Sequence, residues 1–149
     1  MRSAATHVLT LVLTLSVLCA TVLADAAAPA PPYVVIVHSS NPATTLDASF
    51  VVDAFLKRIT HWPDDEVIRP VDLPSASPVR QSFSAEVLRR SVEAVKGYWQ
   101  QRIFSGRDVP PPELETDDEV VRYVLKYPGA IGYVSPRANL NGAKVVVVR

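Results

Sequence analysis

Ser75, Ser77, Arg80 and Gln81 crowd one short stretch, SASPVRQ. Two hydroxyls, a guanidinium and an amide at this spacing suit a small oxyanion, because each offers donors and none brings negative charge. Ser77-Pro78 also has the form of a helix start, serine at the N-cap and proline at the first helical position. The first N–H groups of a helix lack intrahelical partners and carry the positive end of its dipole, so an anion can sit there. The competing reading of the same residues is an ordinary capped helix.

Ser39, Ser40 and Asn41 form a second group, directly after the apolar run YVVIVH at 33–38. The carboxyl edge of a strand is where α/β sheets bind ligands; the alternative is a plain turn. Tyr133 and Ser135 end another strand-like run, with core packing and a loop serine as the alternative. His38, His61, Asp64, Asp65 and Glu66 match no metal-ligand spacing, and residues 64–66 read as a solvated acidic turn, so no metal is expected. Trp62, Tyr98, Trp99 and Phe104 have the makings of a sugar platform, but their spacing favours core packing.

Catalysis finds little support. There is no G-x-S-x-G elbow, Ser77 has no identifiable base, and no histidine is paired with a nucleophile by spacing. The expectation is a protein that is not an enzyme and needs no cofactor. The single cysteine, Cys19, lies in an N-terminal apolar run at 8–23, so disulfides, thiol catalysis and cysteine metal sites are excluded from the rest of the chain.

That run follows Arg2 and His7 and precedes Ala24-Asp25-Ala26. A positive start, a short apolar stretch and an A-x-A site describe a secretory signal peptide over 1–24, cleaved after Ala24 or Ala26. Val17 and Leu18 before Cys19 disfavour a lipoprotein site. The expected location is periplasmic or secreted. Residues 25–32 end in AAPAPP, a proline-rich tether. The remaining 33–149 make one domain, long enough to bury a core. Lys and Arg number 15 against 15 Asp and Glu. No basic excess is present to draw nucleic acid or a membrane surface.

The elements that position these groups follow from periodicity. YVVIVH is a strand buried on both faces, as in a parallel sheet covered by helices. Residues 46–59 repeat apolar side chains as a helix does, with Thr44 or Thr45 able to cap it. EVIRPVDL at 66–73 is a strand, and Pro70 marks it as an edge or a bulge. A helix follows Ser77. Another runs over 91–104 with Val92, Val95, Trp99 and Ile103 facing the core, and Gly97 as a point of bending. RDVPPPELE at 107–115 is an extended loop. Thr116 and Glu119 form a capping box, and Pro128-Gly129 stops that helix. Strands at 130–134 and 144–148 finish the chain. The pattern β-α-β-α-α-α-β-β predicts an α/β fold, a mixed sheet of about four strands with helices packed on it.

Several spaced segments then coincide: VVIVHSSNP, HWPDDE, VIRPVDL, SPVRQSF, YWQQRIFSG, TDDEVVRYV and PGAIGYV. Together, over 33–134, they resemble the substrate-binding proteins of phosphate ABC transporters, in the periplasmic-binding-protein superfamily, and its short single-lobe members in particular. The resemblance implies a lobe that presents helix N-termini to phosphate or another small anion, with an ABC permease as partner. Aligning Phe83 with the phenylalanine after the family's phosphate loop places Ser77-Pro78-Val79 on Ser-Gly-Thr and Leu73 on the preceding arginine. Ser77 keeps its hydroxyl. Pro78 has no N–H to donate, Val79 has no hydroxyl, and Leu73 cannot replace a bidentate arginine. Arg80 is near but does not match that arginine. Gly129, Ala130 and Gly132 are implied to be architectural, letting helices approach the strand. A single lobe leaves a ligand half exposed. So either a homodimer or another envelope protein supplies the second face, or the chain is an interaction or accessory protein that has lost its ligand.

Overall fold

The computed structural model describes residues 31–149; the expected signal peptide and most of the tether lie outside them. One mixed sheet of five strands runs through the molecule in the order β2-β5-β1-β4-β3. Its strands are β1 (Val34–Val37), β2 (Thr45–Leu46), β3 (Arg69–Pro70), β4 (Ala130–Val134) and β5 (Lys144–Val148). The helices are α1 (Ala48–Phe55), α2 (Pro78–Glu86), α3 (Val92–Phe104) and α4 (Asp117–Lys126).

The sheet has five strands where about four were expected, and the fifth comes from the start of the first helix. Thr45 and Leu46 pair in parallel with Val147 and Val148. Arg149 N–H donates to the Leu46 carbonyl, and its own carbonyl accepts from Ala48 N–H. The C-terminal strand thus holds as a short edge strand what the apolar period assigns to a helix. Thr44 and Thr45 cap nothing; Asp47 is the N-cap of α1. This helix also stops early: Leu56 is its C-cap, and Lys57 takes a left-handed φ of 50°.

Val34–Val37 of YVVIVH form the central strand, with Val35, Ile36 and Val37 buried and Val34 partly so. Both its neighbours are antiparallel to it, not parallel. Its apolar run reports burial on both faces, which covering elements impose whatever the direction of the partners. EVIRPVDL is a strand only at Arg69–Pro70, at the sheet edge as Pro70 requires. The rest pairs in fragments. His61 and Val67 bridge antiparallel across the acidic turn, and Asp72 bridges Glu113 of the proline-rich loop in parallel.

The other local signals are realised. Ser77 caps α2, Ser91 caps α3, and Thr116 and Glu119 form the capping box of α4. α3 runs unbroken through Gly97. Ile103, expected in the core, is half exposed, and Phe104 beside it is 90 % exposed. The last turn of α3 runs past Trp99, beyond the surface that the helix packs on.

α4 packs on β4 and β1, and Gly132 sets how closely. A Cβ there would lie 2.8 Å from side-chain carbons of both Val120 and Val71. Gly129 meets an even closer neighbour, the Val67 carbonyl, 1.9 Å from where its Cβ would be. The break at Pro128-Gly129 thus lets the 61–67 hairpin lie against the start of β4. The core centres on Phe55, Phe83 and Tyr133, with Tyr133 stacked on Phe83 at 3.9 Å and 12°.

Candidate functional site

Register places the two polar groups of the sequence at opposite ends of the sheet. β4 is antiparallel to β1, pairing Val134 with Val34 and Ile131 with Val37. β3 is parallel to β4, starting at Arg69 opposite Ala130. The carboxyl end of β3, leading to Ser75, Ser77, Arg80 and Gln81, therefore lies at the amino end of β1. Ser39, Ser40 and Asn41 follow the carboxyl end of β1 and lie at the far side. No single small ligand spans both.

At the β3 end, Ser77 Oγ accepts from Arg80 N–H at 3.4 Å, an N-cap contact. Pro78 contributes no donor, and Val79 N–H makes no hydrogen bond among the described residues. Ser75 and Ser77 are half-buried and Gln81 is exposed. Arg80 takes another direction. It is 4 % exposed, and its Nη1 donates to the Leu73 carbonyl and to Glu113 Oε1. Its Nη2 lies 3.5 Å from Asp72 Oδ2. Asp72 is itself buried and accepts from the Tyr133 hydroxyl at 2.7 Å. That hydroxyl in turn accepts from Leu73 N–H at 3.4 Å.

The electrostatics of this cluster follow from burial. Loss of water raises Asp72 above the ordinary carboxylate value; Arg80 and the Tyr133 hydrogen bond pull it back only in part. Burial also drives the Tyr133 phenol strongly upward, reinforced by Asp72. Burial alone would lower Arg80, but Asp72 and the Glu113 hydrogen bond outweigh it and hold the guanidinium charged. Two carboxylates already face that cation, so an incoming anion meets repulsion from both. What remains open to an anion here is the α2 start: a hydroxyl, a free N–H and the helix dipole.

Sequence reasoning missed Asp72 and Glu113. Asp72, an acid between Val71 and Leu73 in a strand-like run, is a signal that points to a buried carboxylate. Nothing local marks Glu113, which the three prolines before it carry alongside β3.

At the β1 end, Ser39 and Ser40 are exposed, and Ser40 Oγ sits 2.7 Å from His38 Nδ1. Asn41 is buried, and its Oδ1 accepts from Ala43 N–H at 2.9 Å. These contacts make a local turn. Beside it, Asn41 joins the lining of an open cleft of about 440 Å³. Tyr133 is wholly buried, and Ser135 donates to Asp117 at the start of α4, so neither is open to a ligand. Among the described residues no group of three His, Cys, Asp or Glu is placed to hold a metal ion. No helix among them is long and apolar enough to cross a membrane.

No family model and no curated protein matches this sequence. Solved structures do match its fold. A phosphate ABC transporter substrate-binding protein with bound phosphate from Clostridium perfringens aligns over 78 % of this chain and 44 % of its own, at 21 % identity and a TM-score of 0.62. An ABC-type phosphate transport receptor from Vibrio cholerae aligns over 78 % and 46 %, at 17 % identity and 0.61. PstS from Borrelia burgdorferi aligns over 79 % and 47 %, at 16 % identity and 0.60. The chain therefore spans less than half the length of each, and its fold is similar to one portion of a phosphate-transport substrate-binding protein.

Proposed function

We propose that the protein is an exported, non-enzymatic solute-binding module of the phosphate-binding-protein type, which takes a small oxyanion weakly and needs a partner to complete the site. The observation that carries this reading is the α2 start. It keeps the Ser77 hydroxyl and the Val79 N–H but offers no free cation, because Arg80 is held by Leu73, Asp72 and Glu113. Weak binding follows: a charge-assisted hydrogen bond contributes about 1.5–3 kcal/mol, and the guanidinium that would make one is already engaged. Ser75 and Gln81 border the same start; Ser39, Ser40 and Asn41 do not belong to it. The partner is a permease component, another envelope protein or a second copy of this chain. Calorimetric titration of residues 25–149 with phosphate, sulfate and an organic phosphate tests the reading. We expect saturable heat only at millimolar anion, lost in Ser77→Ala. No heat at any concentration removes the oxyanion.

A second reading is an envelope interaction protein without a ligand. The locked Arg80 favours it, as do Ile103, Phe104 and Val109, which are exposed near the end of α3. Light scattering and affinity capture from an envelope fraction separate the two. A partner that binds equally well with and without phosphate supports the second.

A further inference from the structure

The cleft at the β1 end has a composition that the α2 start lacks. Phe50 and Trp62 pack at 5.1 Å and 36° in its wall, joined by Leu46 and Pro42. Trp62 satisfies its own N–H inward, donating to the Gly129 carbonyl at 2.9 Å, so what it brings to the wall is its apolar ring. Two carboxylates, Asp47 and Asp64, also line the cleft, and among the described residues no basic side chain does. Neither carboxylate is in an ion pair among the described residues. Asp64 accepts only a long backbone contact from Glu66 N–H, and Asp47 makes no side-chain cap bond. The Lys144 ammonium donates to the carbonyls of the lining residues Asn41 and Pro42 at 3.0 and 3.2 Å. Asp65 and Glu66 are exposed in the adjoining hairpin, while Arg149 lies beside Leu46 at the other edge.

We infer that this cleft is a binding site for a small organic cation with an apolar, ring-sized body, an aralkyl ammonium in chemical class. The volume falls in the range of small-molecule pockets. The aromatic wall supplies hydrophobic contact and attracts a cation through the ring quadrupole. Asp64 supplies a carboxylate that is in no ion pair among the described residues, and Asp47, at the N-cap of α1, supplies a second that the helix dipole compensates in part. The site lies at the opposite end of the sheet from the α2 start and stands or falls independently of any oxyanion there.

The chain has two tryptophans, Trp62 and Trp99. Trp99→Phe leaves Trp62 as the sole tryptophan, excited at the red edge where tyrosine does not absorb, and phenethylammonium is the probe. The expected result is a saturable change in Trp62 emission at millimolar probe or below. 2-Phenylethanol, neutral and of similar size, should bind several-fold more weakly. Asp47→Asn with Asp64→Asn should weaken the cation about tenfold and leave the alcohol unchanged. Added salt should weaken the cation alone. If Trp99→Phe fails to fold, the indole N–H resonance of Trp62 in the wild-type protein reads the same titrations. The proposal is overturned by equal binding of amine and alcohol, by indifference to the two asparagine substitutions, or by the absence of a saturable change.

Discussion

Among the described residues, the β3 end of the sheet gathers most of the buried polar side chains, and its charges are committed to one another around a small pocket of about 150 Å³; the β1 end is built from apolar ones around a wider cleft. At the first, Asp72, Arg80, Glu113 and Tyr133 satisfy one another. At the second, Phe50, Trp62 and Leu46 leave a cleft with two uncommitted carboxylates at its wall. The contrast separates polar content from binding capacity. A guanidinium that already faces two carboxylates offers an anion little, whereas a carboxylate in no ion pair beside an aromatic wall stays available to a cation, screened by solvent.

The strongest way to break this contrast is to break the committed pair. Arg80→Met removes the cation between Asp72 and Glu113 and leaves Asp72 buried and uncompensated. Urea denaturation should show a loss of about 3–5 kcal/mol, the usual cost of removing one partner of a buried pair. A loss within error of zero would mean that Arg80 is a free ligand group after all. Adding Asp72→Leu should recover much of the loss, since paired ions replaced by apolar side chains are often no less stable.

The next effect sharpens the open end. Gly129→Ala places a methyl against the Val67 carbonyl and pushes the 61–67 hairpin away from β4. The expected cost is about 1–3 kcal/mol, with a change in Trp62 fluorescence as its bond to the Gly129 carbonyl is disturbed. Unaltered fluorescence and stability would show that the hairpin adjusts freely and that the cleft wall is not fixed there.

A smaller effect comes from the α2 start. Ser77→Ala removes the cap acceptor for Arg80 N–H and should lower stability by about 1 kcal/mol, while Ser77→Gly should cost only a few tenths. Thermal melts of the two variants distinguish a cap from a hydroxyl that serves a ligand alone, which would change neither.

The smallest expected effect is a slope with pH. Burial raises Asp72 in the folded protein above its ordinary value of 3.8. The folded state therefore keeps this proton where the unfolded chain has lost it. The contribution of Asp72 to stability is greatest in acid and is lost as pH rises through the raised value. Compared with Asp72→Asn, the wild type should gain relative stability on going from neutral pH toward about pH 4. The opposite slope in paired denaturation curves would show that Arg80 dominates over burial and that the cluster is a stabilising ion pair.

The local elements of this protein were legible in its residues. Ser77-Pro78, Thr116 with Glu119, and Pro128-Gly129 each carry their own boundary chemistry, since caps and breaks depend on side chains within a few positions. The strands at 130–134 and 144–148 fell where their apolar runs lie. The resemblance to phosphate-binding proteins pointed to the fold to which solved structures are similar.

What depended on distant partners was not legible. Thr45 and Leu46 form a strand because the C-terminal β5 lies beside them. Arg80 is engaged because Glu113, which follows a proline-rich loop, is delivered next to Asp72. Ser39 to Asn41 and Ser75 to Gln81 sit apart because β1 runs antiparallel to β4, and strand direction leaves no trace in an apolar run. Donors, caps and apolar periods are properties of neighbours along the chain and can be read there. Which donors are free depends on folding, because satisfaction of a charge is set by whatever distant segment comes to lie against it.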